Sequence, residues 1–121
     1  MTDGALPLTV DGVLARTESL LNRYGWTQGL FEDPEDGGYC LLGALRMATV
    51  GHTSGANLFG NRAYISACRA VSGCLEESQW NTPTNSIMMF NDSGNTEVED
   101  VMDVLSMARE AFRAEQGETR Q

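Results

Sequence analysis

The stretch GGYCLLGALRMA, Gly37 to Ala48, predicts the central element of the fold. Two glycines and a tyrosine precede Cys40, and the residues after it are apolar on most sides of a helix. A helix that is apolar nearly all round is a buried, central one. The sequence therefore predicts a central helix over residues 40–50, which a turn at the paired glycines introduces and which Gly51 ends.

Gly43 lies inside this predicted helix. Glycine at an interior helix position costs about 1 kcal/mol relative to alanine. A glycine at such a position indicates that another part of the chain passes close to the helix.

Cys40 and His52, the only histidine, suggest a thiolate–imidazole pair that Asp92 could orient. The spacing argues against this pair, because residues 40 and 52 lie at opposite ends of the predicted helix, roughly 16 Å apart. We predict that Cys40 is a small buried residue, slow to alkylate and more than about 10 Å from His52. A cysteine-dependent hydrolase or transferase that uses Cys40, His52 and Asp92 stays open as an alternative.

Three further helices are predicted from apolar residues that recur every three or four positions. The first follows an N-cap at Thr9 and ends at Gly25. A later one spans residues 61–77. The last begins at Thr96, which forms a capping box with Glu99 three residues on.

The run SIMMF, residues 86–90, is apolar but short. A lone strand could not satisfy the hydrogen bonds of its edges, so we expect this run to be an extended segment or a helix. The sequence thus predicts an all-α fold, a compact bundle of four to five helices in one domain over residues 1–121. Its ends, residues 1–8 and 115–121, are expected to fray.

The 121-residue chain is acidic, with a net charge of −9, and all 8 of its basic residues are arginine. Those arginines are scattered along the sequence, whereas binding to the phosphates of a nucleic acid needs clustered basic residues. No apolar run approaches the roughly 18 residues of a membrane span, and the N-terminus carries an acid and no base, unlike a secretory signal. We therefore predict a cytoplasmic protein that binds neither nucleic acid nor membranes directly.

The cysteines and the histidine predict neither a metal site nor disulfides. Cys40, Cys68 and Cys74 are an odd number without a CxxC pair, and zinc ligands need shorter spacings. A calcium loop counted from Asp33 fails, because its position 12 is Ala44 instead of glutamate. We expect reduced thiols, no metal and no cofactor.

Three pieces of the chain resemble a family of small uncharacterised proteins from actinobacteria and their phages. They are YCLLGALRMA from Tyr39, FNDSGNTEVEDV from Phe90, and a leading helix followed by YGWTQG from Tyr24. Together they span most of residues 10–112, and the chain departs from the family at Phe90, where tryptophan is common. The resemblance implies an actinobacterial or actinophage source, in keeping with GC-rich arginine codons and the lack of lysine. It implies no activity, substrate or catalytic residue.

The sequence favours a non-enzymatic protein that acts by binding another protein, in the host cytoplasm if a phage encodes it. Its acidity suits a basic partner protein. The predicted binding residues lie in the acidic loop and in the turn before the last helix: Glu32, Asp33, Glu35, Asp36, Asn91, Asp92 and Asn95. Besides the cysteine-dependent enzyme, an acidic DNA mimic that inhibits a nucleic-acid-binding protein stays open. The sequence predicts neither the partner's identity nor the oligomeric state.

Overall fold

The computed structural model describes residues 9–53, 61–75 and 82–120, with side chains as far as residue 115. Five helices form within these ranges: α1 (Val10–Tyr24), α2 (Leu41–Val50), α3 (Arg62–Ser72), α4 (Pro83–Asp92) and α5 (Val98–Arg120). No extended strand occurs in the same ranges; isolated bridges join Tyr39 to Trp26 and to Glu32. The predicted all-α bundle of four to five helices is confirmed.

Helix α2 is the central helix and packs against α1, α3 and α4. Its apolar side chains are completely buried at five positions: Leu41, Leu42, Ala44, Leu45 and Ala48. Because almost every side of this helix is apolar, it is stable only where neighbours cover it all round. The predicted central helix over residues 40–50 is confirmed.

Helix α1 begins and ends at the residues that the sequence predicts. The Thr9 side chain accepts a hydrogen bond from the backbone N–H of Gly12 at 3.0 Å. Gly25 follows the helix with a φ of 100°, a conformation that favours glycine. Arg109 then joins α5 to α1 by donating to Asp11 at 3.1 Å and to Glu18 at 2.7 Å.

The run 86–90 is helical, and it forms the middle of α4. Pro83 occupies the first turn, where its missing N–H is not needed, and Thr82 caps the helix by accepting from Asn85 N–H at 3.3 Å. Ile87 is completely buried, whereas Met88 and Met89 are exposed. One face of α4 therefore packs into the core and the other remains at the surface.

The capping box of α5 lies one residue later than the sequence predicts. Val98 is the first helical residue, and the backbone N–H of Glu97 donates to the Asp100 carboxylate at 2.9 Å. The capping interaction thus joins Glu97 with Asp100, instead of Thr96 with Glu99, and the Asp100 N–H donates to the Glu97 backbone carbonyl at 2.9 Å. Consecutive acids at the helix start make both registers chemically acceptable, so the pattern alone does not separate them.

Two predicted helix ends differ from the structure. Helix α3 stops at Ser72, and Gly73 caps it by donating to the Arg69 carbonyl at 2.9 Å; the predicted continuation over 76–77 lies outside the described residues. Helix α5 continues to Arg120, past the point where the sequence predicts fraying. Gly117, inside this helix, costs only about 1 kcal/mol relative to alanine, which a long helix tolerates. Residues 1–8 also lie outside the described ranges.

Candidate functional site

Asn91, in the last turn of α4, is 1% exposed and makes all of its side-chain hydrogen bonds inside the protein. Its Oδ1 accepts from the Trp26 indole at 2.6 Å and from the backbone N–H of Leu41 at 2.8 Å. Its Nδ2 donates to the Thr27 carbonyl at 3.2 Å and to the Asp92 carboxylate at 2.9 Å. Asn91 therefore joins the end of α4 to the start of α2 and to the α1–α2 loop.

The α1–α2 loop, residues 25–40, is attached to α4 a second time. The Gln28 amide donates to the backbone carbonyls of Asn91 at 3.0 Å and Ser93 at 2.9 Å. The backbone N–H of Gly29 donates to Asp92 Oδ1 at 3.0 Å. The loop backbone is thus held against the C-terminal end of α4.

Gly43 permits the α1–α2 loop to cross directly over α2. A Cβ atom at residue 43 would lie 2.0 Å from the carbonyl oxygen of Phe31, far inside van der Waals contact. The same carbonyl accepts a hydrogen bond from the backbone N–H of Cys40 at 3.3 Å. The Arg46 guanidinium stacks on the Phe31 ring at 4.3 Å from its centroid. The prediction that another part of the chain passes close to Gly43 is confirmed.

Cys40 is the N-cap of α2 and is buried, as predicted. Its Sγ accepts a hydrogen bond from the backbone N–H of Gly43 at 3.2 Å. Burial raises the pKa of the Cys40 thiol, although the N–H groups at the helix start act in the opposite direction. A nucleophilic thiol needs a lowered pKa, so this environment does not activate Cys40.

The structure brings Cys40 close to Asp92 but not to His52. Asp92 lines the same cleft as Cys40, and its charge contributes to the raised pKa of the thiol. His52 follows the opposite end of α2, whose ten residues span about 15 Å. The three residues of the alternative catalytic site therefore do not form one constellation.

The two other thiols are not activated either. Burial raises the pKa of Cys68 to about 11 and also raises the pKa of Cys74. Within residues 9–53, 61–75 and 82–120, no three His, Cys, Asp or Glu side chains are grouped to hold a metal ion. Of the helices described, none combines the length and apolar character that crossing a membrane requires.

A cleft of about 220 Å³ lies between the α1–α2 loop and α4; we call it the loop–α4 cleft. Its lining residues are Gly29, Leu30, Phe31, Cys40, Met88, Asn91 and Asp92. Leu30, Phe31 and Met88 are large apolar side chains that remain 51%, 37% and 39% exposed. The walls of the cleft are thus apolar and open to solvent.

Acidic side chains border the loop–α4 cleft. Asp92 lies in its lining, and Glu32 lines a second depression that shares Phe31 with it. Asp33 folds the next turn by accepting from the backbone N–H groups of Glu35 at 2.9 Å and Asp36 at 3.3 Å, whose side chains are exposed.

Bases are missing from the segments that build this surface. The sequence contains no lysine or arginine between Arg23 and Arg46, or between Arg69 and Arg109. These intervals include the whole α1–α2 loop and all of α4 with the turn that follows. These segments therefore contribute only negative charge to the surface around the cleft, and Arg46 of α2, stacked on Phe31, places a positive charge beside it.

The predicted binding residues have different positions in the structure. Glu32, Asp92 and Asn95 are exposed, and Asn95 lies in the turn between α4 and α5 with its backbone N–H donating to Ser93 Oγ at 3.3 Å. Asn91 is buried with its polar groups engaged, so it positions the surface and has almost no area to offer a partner.

Sequence reasoning did not identify Leu30 and Phe31 as surface residues. The available signal was an apolar pair inside a turn-rich acidic loop, where no helical or strand periodicity directs the two side chains into a core. Met88 gave no such signal, because its exposure depends on the helical form of residues 86–90.

The fold and the cleft define a small acidic helical protein with an apolar, acid-bordered surface site. The chain belongs to the Family of unknown function (DUF6197), which matches residues 5–111. No curated protein and no solved structure matches the chain. Membership of this family assigns no activity, because function resides in sites and not in folds.

Proposed function

We propose that this protein acts by binding another protein through the loop–α4 cleft and the acidic loop 32–36, and that it is not an enzyme. One observation carries the proposal: Leu30, Phe31 and Met88 stay exposed around a single cleft. Exposed apolar side chains that are grouped and rimmed by polar residues mark interaction sites.

The charge of the molecule supports a basic partner. With a net charge of −9 and no base in the α1–α2 loop, the surface attracts cationic proteins and repels nucleic acid and anionic membranes. Electrostatic attraction of this kind accelerates association and weakens as salt increases.

We also propose an actinobacterial or actinophage source and a cytoplasmic site of action. The support is the resemblance of the sequence to small proteins of that origin, together with arginine as the only basic residue type. In the phage case, the partner is a protein of the bacterial host.

A capture experiment with matched variants tests the proposal. The full chain serves as bait in an actinobacterial lysate at low and high salt. The test variant combines Leu30→Ser with Met88→Ser, and the control combines Val98→Ser with Met107→Ser. Both pairs remove exposed apolar side chains, but only the first pair lines the cleft.

We expect the wild type and the control to retain the same protein at low salt and the test variant to lose it. Circular dichroism should show equal helicity in the two variants. If both variants retain the captured protein equally, the loop–α4 cleft is not the binding surface. If the wild type captures no specific protein at either salt concentration, the result counts against a binding function.

A further inference from the structure

We infer that the loop–α4 cleft holds one apolar side chain of the partner protein, and that lysine or arginine flanks this side chain in the partner's sequence. This inference rests on the proposed function and specifies the chemistry of the contact.

The size of the cleft indicates a single side chain. Pockets for whole small molecules have volumes of roughly 300–1,000 Å³. The loop–α4 cleft, at about 220 Å³, is smaller than this range. Binding energy at protein interfaces is concentrated in a few side chains that fill such desolvated pockets.

The lining of the cleft indicates an apolar occupant. Leu30, Phe31 and Met88 form its walls, and the Cys40 thiol is a weak hydrogen-bonding group. The side chain of Asn91 has no hydrogen-bonding group left for a ligand, because each is used within the protein. Away from the Asp92 carboxylate at the edge, a polar occupant would lose hydrogen bonds to water with little replacement.

The rim of the cleft indicates positive charge beside the apolar side chain. Asp92 lies in the lining, and Glu32 follows Phe31 in the chain and lines the neighbouring depression. The guanidinium of Arg46 stacks on the Phe31 ring beside the cleft, and it donates to the Tyr64 hydroxyl at 3.2 Å and to the Thr53 carbonyl at 3.0 Å. Among the described residues, neither Asp92 nor Glu32 lies within ion-pair distance of an arginine, so both carboxylates can pair with a cation of the partner.

Synthetic peptides of equal length provide the test. The first probe has a central leucine between two pairs of arginines. The second replaces leucine with serine, the third replaces the arginines with glutamines, and the fourth replaces them with glutamates. Fluorescence anisotropy measures the affinity of each probe for the wild type, Met88→Ser and Met107→Ser.

We expect the arginine–leucine peptide to bind most tightly. The affinity of the serine peptide should be lower by a factor of about ten or more. The glutamine peptide should also bind more weakly, and the glutamate peptide should not bind. Met88→Ser should weaken the leucine peptide but leave the serine peptide unchanged, whereas Met107→Ser should change neither. Comparing the leucine and serine peptides on the wild type and on Met88→Ser isolates the contact between Met88 and the apolar side chain.

The inference is overturned if the leucine and serine peptides bind equally, if Met88→Ser weakens both alike, or if the arginine–leucine peptide does not bind by about 1 mM. The proposed function would survive each of these results, because the capture experiment tests it with the partner itself. If instead the wild type captures no specific protein while the peptides still bind selectively, the proposed function is contradicted.

Discussion

Asn91 and Gly43 contribute almost nothing to the molecular surface, yet both determine the shape of the loop–α4 cleft. Asn91 connects the α1–α2 loop to α4 and α2, and Gly43 provides the space for Phe31 to cross α2. Asn91 and Gly43 are therefore buried residues that determine where the side chains of the surface lie.

Replacing Asn91 with aspartate should destabilise the fold severely. The new carboxylate keeps the acceptor for Trp26 and Leu41 but loses the donor to Thr27 and Asp92, and it places two carboxylates side by side. We expect the free energy of unfolding to fall by about 3 kcal/mol, since buried unpaired polar groups are costly. Urea denaturation measures this change, and the exposed Asn95→Asp should alter it by less than about 0.5 kcal/mol.

Replacing Gly43 with alanine should force the α1–α2 loop away from α2. The added methyl group would overlap the backbone of Phe31, which cannot turn aside as a side chain can. We expect a loss of about 2 kcal/mol or more in unfolding free energy. Gly94→Ala is the control, because no atom lies within 4 Å of its Cβ position. Equal stability of the two variants would disprove the close approach.

The three thiols should alkylate at different rates in the folded protein. Cys74 is only partly buried, whereas Cys40 and Cys68 are 6% and 2% exposed. Burial raises the pKa of both buried thiols, so little thiolate forms at neutral pH. With iodoacetamide and mass spectrometry, Cys74 should react first, and Cys74→Ser should remove the fast phase. Rapid alkylation of Cys40 at pH 6 would contradict its burial.

At the scale of helices, a charged cluster holds α5 against α1. The Arg109 guanidinium donates to Asp11 and Glu18, and Arg113 approaches Asp11 at 3.3 Å. The hydrogen bond from Arg109 lowers the pKa of the Asp11 carboxyl below its usual value of 3.8. Asp11 therefore stabilises the fold above about pH 4 and loses that contribution as pH falls through its folded pKa.

Asp11→Asn should lower the unfolding free energy by about 0.5–1 kcal/mol at pH 7, the range of partly exposed ion pairs. The difference from wild type should shrink toward zero as pH falls through the lowered pKa of Asp11, because the protonated Asp11 side chain is uncharged like asparagine. Thermal unfolding at several pH values measures this dependence. The exposed Asp103→Asn is the control; a difference for Asp11→Asn that does not vary with pH would contradict the cluster.

The helices were largely predictable from sequence, whereas the loop–α4 cleft was not. Local signals located α1 and α2, because Thr9, Gly25 and Gly51 act within one turn of each helix end. The path of the α1–α2 loop depends instead on hydrogen bonds such as Trp26 to Asn91, which are 65 residues apart in the chain. No periodicity within a short window contains that pairing.

Gly43 lies between these two cases. Its position inside an apolar helix predicted that something passes nearby, because glycine is unfavourable there without such a reason. The sequence did not predict that the neighbour is Phe31, since that contact requires the loop to fold back over α2.

At the scale of the whole molecule, exposed apolar side chains and acids coincide at the loop–α4 cleft. The α1–α2 loop and α4 contribute exposed apolar side chains and acids but no base. A partner of opposite charge would be attracted over a distance of about 10 Å and then held by short-range apolar contact.

Nuclear magnetic resonance of isotope-labelled methionine methyl groups can locate the binding surface on the protein. Met88 lines the loop–α4 cleft, and Met107 is a similarly exposed methionine on α5. During titration with the arginine–leucine peptide, we predict that the Met88 signal shifts to saturation while the Met107 signal stays unchanged. A shift of Met107 without a shift of Met88, or no shift of either at saturating peptide, would contradict this location of the binding surface.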